Sequence, residues 1–99
     1  LSYGVFNIKL MKAGGIFVAH KIAGLAAQQN IDLFWGCNDE SLISITAALH
    51  IAYACPNTRY LDLDGSLEVA EQLVTGGFEL INGEMVITGN SGLGVRFKD

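Results

Sequence analysis

Three short apolar runs, at about Val5–Leu10, Ile31–Trp35 and Tyr60–Asp64, alternate with two longer helix-like segments, the first with apolar residues recurring every three or four positions and the second rich in small and branched residues. Strand, helix, strand, helix, strand with short connections leaves few folds open. It predicts an α/β arrangement of parallel strands joined by right-handed crossovers. In the first run Phe6, Ile8 and Leu10 fall on one side and Asn7 and Lys9 on the other, the period of a strand. Ile16, Ala19, Ile22, Ala23 and Ala26 then follow the helix period, predicting a helix from about Ile16 to Gln29. Gly14-Gly15 opens that helix, and Asn30 supplies a left-handed stop. Ser41 is the predicted cap of a second helix, Leu42–Ala54, whose small and branched residues suit burial against a sheet. Cys55-Pro56-Asn57 ends it, because proline disfavours helix in the residue before it.

Beyond Asp64 the character changes. Ser66–Val74 predicts a short helix. Gly76-Gly77 leads into two strand-like runs, Phe78–Ile81 and Glu84–Ile87, and Asn82-Gly83 between them is a strong hairpin signal. Gly92-Leu93-Gly94-Val95 predicts an irregular, tightly turned end.

The chain has 99 residues, 51% hydrophobic and 16% charged, the composition of one folded domain rather than a disordered tail. Its net charge is −4 and its lysines and arginines are scattered, so no basic stripe is available for phosphates and no nucleic-acid partner is expected. Apolar stretches are broken by Asp, Glu, His or Gly before reaching a membrane-spanning length, so no membrane partner is expected either. The start, Leu1-Ser2-Tyr3-Gly4, lacks the basic region of a signal peptide. Cys37 and Cys55 have neither CxxC nor HxxxH company, which reads as reduced thiols in a cytoplasmic protein. The chain opens directly in a strand pattern without an initiator Met, and is expected to be a segment of a longer polypeptide.

Each predicted strand closes on polar sequence: Asn7 to Gly15, Gly36 to Ser41, and Tyr60 to Gly65. In a strand–helix repeat these ends share one face, where binding and chemistry are concentrated. Lys9 faces either solvent or a barrel mouth; buried there beside another cation, its ammonium would titrate lower and exchange protons near neutrality. Lys12, in the following loop, is expected to be a surface residue. Asp62 and Asp64, two apart on a strand, would send both carboxylates to one face, a costly placement unless a cation joins them. That cation is a metal, a lysine or a ligand ammonium; the alternative is an exposed pair capping the helix at Ser66. In the loop after the second strand, Cys37 and Asp39 share an orientation into the site, and Glu40 is placed to hydrogen-bond a reacting oxygen. The alternative is that Asp39 and Glu40 serve the helix dipole. Cys37 has no histidine placed to make it a nucleophile; His50 lies on a helix body, and His20, mid-helix, is expected to be structural. Gly14-Gly15 matches no phosphate-binding motif.

Together these pieces resemble the C-terminal part of the enolase superfamily, in its muconate-lactonizing-enzyme-like branch, and within it the dipeptide epimerases of the L-Ala-D/L-Glu type. The resemblance rests on Asn7-Ile8-Lys9-Leu10-Met11-Lys12-Ala13-Gly14-Gly15, on Gly36 to Ser41 as a Gly-Cys/Ser-x-x-Glu-Ser segment, on Asp62-Leu63-Asp64, and on the Gly-Gly hairpin and terminal Gly92-Leu93-Gly94-Val95. It covers essentially the whole chain. It implies about strands 6 to 8 of a (β/α)8 TIM-like barrel over residues 1–75, with residues 76–99 a hairpin and tail packing on the capping domain. It implies a Mg²⁺-dependent 1,1-proton transfer through an enediolate at the α-carbon of the dipeptide's C-terminal residue. By the same resemblance Lys9 is one of two acid/base lysines, Asp62 and Asp64 hold the α-ammonium of the dipeptide, and Cys37 and Asp39 border the substrate. Asn38 and Asp39 stand where many relatives carry Met, Leu or Ile, which leaves the preferred dipeptide open. The second lysine and the acidic Mg²⁺ ligands are expected on the remainder of the same polypeptide, since a whole barrel needs about 250 residues. The segment alone is therefore expected to be inactive, and the complete enzyme a homo-oligomer. An o-succinylbenzoate synthase or N-acylamino-acid racemase of the same branch, or a small non-catalytic α/β binding module, are the alternatives.

Overall fold

The computed structural model describes residues 4–98. The opening Leu1-Ser2-Tyr3, weighed above as a leader, lies outside them. Strand β1, Val5–Lys9, stops one residue before the predicted end, and Leu10 begins a one-turn helix α1, Leu10–Ala13. Leu10 is in the core, 6% exposed, on the side that the alternation gave it with Ile8. Gly14 (φ 97°) closes α1 by donating its N–H to the Leu10 carbonyl, and Gly15 (φ 115°) leads into helix α2, Ile16–Gln28. Both angles lie where only glycine sits without strain. The pair thus redirects the chain.

Helix α2 ends as predicted. Asn30 adopts φ 58°, its N–H donates to Ala27 O at 3.1 Å, and that of Ile31 donates to Ala26 O at 2.9 Å, the two bonds of a Schellman stop. Strand β2, Asp32–Gly36, leads to helix α3, Leu42–Ala54, with Ser41 Oγ accepting from the Ser44 N–H at 3.3 Å. Strand β3 is Thr58–Leu61, two residues earlier than predicted. Side-chain bonds explain the shift: Trp35 Nε1 donates to Thr58 Oγ1 at 2.9 Å, and that hydroxyl donates to Ala52 O at 2.6 Å. Thr58 pairs with Leu33 and Tyr60 with Phe34, so Arg59 is an extra residue in the ladder, its guanidinium 2.9 Å from Asp32 Oδ2. Asp62 and Asp64 consequently lie past the strand rather than on it.

The sheet is parallel throughout, in the order β1-β2-β3, with Lys9 opposite Gly36. Ile8, Leu33 and Trp35 form one side of the core, covered by Ala19, Ala23 and Ala26 of α2 and by Ile45, Leu49 and Ala52 of α3. Asn7, Lys9, Phe34 and Tyr60 belong to the opposite, more open face.

Past β3 the predicted helix over 66–74 is replaced by a single 3-10 turn, Gly65–Glu68. Val69 is already extended, and the Gln72 carboxamide accepts from the Leu42 N–H at 2.9 Å while donating to Ser66 O at 3.1 Å. Those bonds hold the segment stretched across the start of α3. Two further strands were not predicted: β4, Val74–Gly76, and β7, Val95–Phe97, which pair antiparallel. Between them lies the predicted hairpin of β5, Phe78–Ile81, and β6, Glu84–Ile87, its turn formed by Asn82 (φ 51°) and Gly83 (φ 81°). The hairpin is tied to α3 where Tyr53 Oη donates to Met85 O at 2.6 Å.

Candidate active site

Lys9 is the last residue of β1, half-buried, and joins Asn7 and Lys12 in lining a groove of about 620 Å³ along the unpaired edge of that strand. Asn7 lies across Gly36, where an added Cβ would come within 2.8 Å of Asn7 Oδ1. A side chain at 36 would therefore displace Asn7 from the face that also carries Lys9.

At the same end of the sheet, the loop after β2 and the loop after β3 lock together. Cys37 Sγ donates to the Asp62 carbonyl oxygen at 3.2 Å, with Asp64 Oδ1 3.9 Å away. Gly65 sits under Asn38 so closely that a Cβ there would overlap the Asn38 carbonyl. Leu63, 1% exposed, anchors the second loop in the core and leaves Asp62 and Asp64 exposed on either side. Asp64 occupies the cap position of the 3-10 turn, yet its side chain makes no capping bond there, so the capping alternative for that carboxylate is not realised. Burial, most of all, and the carboxylates of Asp64, Glu40 and Asp62 raise the Cys37 thiol above its ordinary pKa against the lowering influence of the Gly65 amide.

Glu40 differs from its expected role. It is 2% exposed, Oε2 accepts from the Asn38 N–H at 2.9 Å, and Oε1 accepts from the Ser44 hydroxyl. Both oxygens are engaged inside the loop, so Glu40 braces the loop instead of facing a reacting oxygen. Asp39 is exposed, and the helix itself is capped by Ser41. His20 is exposed on α2, while His50 Nε2 is buried on α3 with no partner among the described residues.

The structure therefore brings Cys37, Asp62 and Asp64 together, and sets Lys9 at the same end of the sheet two strands away. At the usual strand spacing that separation is about 10 Å. Asp62 and Asp64 line a second groove, about 490 Å³, between β3 and the hairpin with Leu61, Leu80 and Met85. Lys9 and the aspartates thus border opposite free edges of the sheet. Among the described residues no group of three or more His, Cys, Asp or Glu is placed to hold a metal ion. Gln72, which ties the two loops through Leu42 and Ser66, carried no signal in the sequence beyond a polar residue in a predicted helix.

The three-stranded parallel sheet, with helices packed on one face, carries a lysine at one strand end and paired aspartates beyond another. The chain belongs to the enolase C-terminal domain-like family, whose model matches residues 2–99. The L-Lys-D/L-Arg epimerase of Methylococcus capsulatus is 56% identical over 96 residues, 97% of this chain and 27% of that protein. The L-Ala-D/L-Glu epimerase of Bacillus subtilis is 35% identical over 94 residues, 95% of this chain and 26% of that protein. The crystal structure of the Methylococcus capsulatus dipeptide epimerase with Mg and the dipeptide L-Arg-D-Lys matches at a TM-score of 0.91 and 56% identity, covering 95% of this chain and 27% of that one. The Enterococcus faecalis dipeptide epimerase with Mg and L-Leu-L-Tyr matches at a TM-score of 0.82 and 39% identity, covering 93% and 27%. This chain spans about a quarter of the length of these relatives. No helix among the described residues is long and apolar enough to cross a membrane.

Proposed function

We propose that the chain is about strands six to eight of the barrel of a Mg²⁺-dependent dipeptide epimerase, and that the complete polypeptide inverts the α-carbon of the dipeptide's C-terminal residue. The observation that carries this reading is the joint match in sequence and backbone to the Methylococcus capsulatus enzyme, 56% identity at a TM-score of 0.91. In this reading Lys9 Nζ moves a proton on one face of the α-carbon, and a lysine from the remainder of the polypeptide works on the other. Asp62 and Asp64 hold the α-ammonium, where hydrogen bonds to a charged group are roughly twice as strong as neutral ones. Cys37 and Asp39 border the dipeptide. The Mg²⁺ ligands belong to the remainder of the polypeptide.

The substrate class is cationic, of the Lys/Arg kind. Two observations support it: the relatives at 56% identity are L-Lys-D/L-Arg epimerases, and an exposed carboxylate, Asp39, occupies the loop beside the site. Residues 76–99 form the hairpin and tail that meet the capping domain, supported by the exposed Leu80 and Ile81 on the hairpin. Phe17 and Leu25, 75% and 62% exposed on α2, supply apolar surface for neighbouring barrel helices or a second copy in a homo-oligomer. Two free cysteines support a cytoplasmic location.

The test is α-proton exchange in D₂O with the complete polypeptide and Mg²⁺, read by NMR on L-Lys-L-Arg, L-Ala-L-Glu and an N-succinylamino acid. Exchange and inversion on L-Lys-L-Arg foremost is the expected result. Turnover confined to the N-succinylamino acid would instead assign the sibling racemase activity.

A further inference from the structure

The thiol of Cys37 does not point away from the site's loops; it is hydrogen-bonded into the one that carries both aspartates. Its proton goes to the Asp62 carbonyl at 3.2 Å, and the Asp64 carboxylate lies 3.9 Å from the same sulfur. The neighbouring backbone leaves little freedom, because an added Cβ at Gly65 would sit 3.1 Å from Cys37 Sγ. Leu63 is fixed in the core, so the loop's remaining freedom lies in how the segment around Asp62 and Asp64 tilts about that anchor. A neutral donor at 37 holds that tilt; a missing donor leaves the Asp62 carbonyl without its partner and frees the adjoining loop that carries Asp64, whose carboxylate lies beside the sulfur. We propose that Cys37 is a positioning residue that acts through Asp64, setting the carboxylate's orientation toward the substrate ammonium rather than reacting with or chiefly binding the dipeptide itself. The raised pKa of the thiol keeps it protonated, and hence a donor, across neutral pH. This rests on the reading of Asp64 as an ammonium ligand.

The probes are L-Lys-L-Arg and its N-acetyl form, titrated calorimetrically into the complete Mg²⁺-loaded polypeptide and its variants. Cys37→Ala and Cys37→Val, the second filling the thiol's volume without a donor, are expected to weaken the free-amino dipeptide about two- to tenfold, the size of one net hydrogen bond. Binding of the N-acetyl form is expected to stay unchanged, and Cys37→Ser, which keeps a donor, to restore most of the loss. In an Asp64→Asn background, Cys37→Ala is expected to add nothing further. Equal weakening of both ligands, or no weakening by either Cys37→Ala or Cys37→Val, overturns the inference. If Asp64→Asn itself leaves the preference for the free amine intact, the ammonium assignment fails first, and the role given to Cys37 falls with it.

Discussion

The two faces of the β1-β2-β3 sheet are written by the same strands and do opposite work. On the helix-covered face Ile8, Leu33 and Trp35 are 4%, 0% and 0% exposed, and small residues of α2 and α3 close over them. On the other face Asn7 and Tyr60 are exposed and Lys9 and Phe34 only half-buried. A parallel sheet is ordinarily covered on both sides, and in a barrel the second covering is the sheet itself curling round. The asymmetry teaches how alternation alone can separate packing from chemistry: one residue apart along β1, Ile8 is buried in the core, while Lys9 lies on the open face, where the proposed function puts the ligand.

That separation can be broken from the covered side first. Leu49→Ala, at a position 0% exposed, is expected to cost about 2–5 kcal/mol of stability in the complete polypeptide. Its kcat at a temperature where it stays folded should remain near that of the parent. Thermal unfolding and turnover measured on one preparation check this; a large loss of kcat without a fall in Tm would show that the two faces are coupled. From the open side, replacing Asp62 and Asp64 together by Asn should weaken free-amino dipeptides by roughly tenfold to a hundredfold, the 1.5–3 kcal/mol of a charge-assisted bond. N-acetylated dipeptides should change far less, and Tm should hold, since both side chains are exposed. A smaller effect is expected at the helix start. Ser41→Ala removes the Ser41 cap of α3, leaving the Gln72 bond to Leu42 in place, and should cost about 1 kcal/mol, visible in denaturant unfolding and not in substrate affinity.

The smallest expected effect concerns pH. Burial raises the thiols of Cys37 and Cys55 above their ordinary value. A group whose folded pKa is raised stabilises the fold below its unfolded pKa, about 8.5 for cysteine, and loses that contribution as pH climbs through the folded value. Stability should therefore decline on the alkaline side, and alkylation of both thiols should be slow at pH 7.5 and quicken above pH 9. Rapid labelling of Cys37 at neutral pH would contradict its place between the loops.

The two halves of the chain differ in how much their sequence reveals. In residues 5–61 the signals are periodic and local: two-residue alternation in β1, the helix period of α2, Ser41 at one end of α3 and Pro56 just beyond the other. The three strands and the two long helices were legible to within a few residues, the one-turn α1 was not, and Asn30 stopped α2 by the bonds its type favours. The misses came where side chains act at a distance. Thr58 starts β3 early because Trp35 and Ala52 claim its hydroxyl, and nothing adjacent to Thr58 announces this. In residues 62–98 the hairpin was legible because Asn82-Gly83 specifies its own turn. The β4–β7 pair was not, since three-residue strands carry no period and their partners lie 19 to 23 residues apart. Gln72 replaced a helix by an extended tether through bonds to residues 42 and 66. At the site, Asp62, Asp64 and Cys37 were legible as types in a motif, but their mutual contact depends on Gly65 letting two loops meet. For Glu40 the sequence left two readings open, because only its burial and its bonds to Asn38 and Ser44 distinguish a brace from an acid facing substrate.

The central claim is that the open face is one half of a two-sided proton-transfer site with Lys9 as its acid/base group. The direct measurement is α-deuterium incorporation by the complete Lys9→Ala polypeptide, starting separately from L-Lys-L-Arg and L-Lys-D-Arg in D₂O with Mg²⁺. The account predicts no interconversion, an unchanged Tm, and exchange surviving from one epimer only, the one whose proton faces the opposite lysine. Interconversion in both directions at near-parental rates would contradict it, and would remove Lys9 from the reaction.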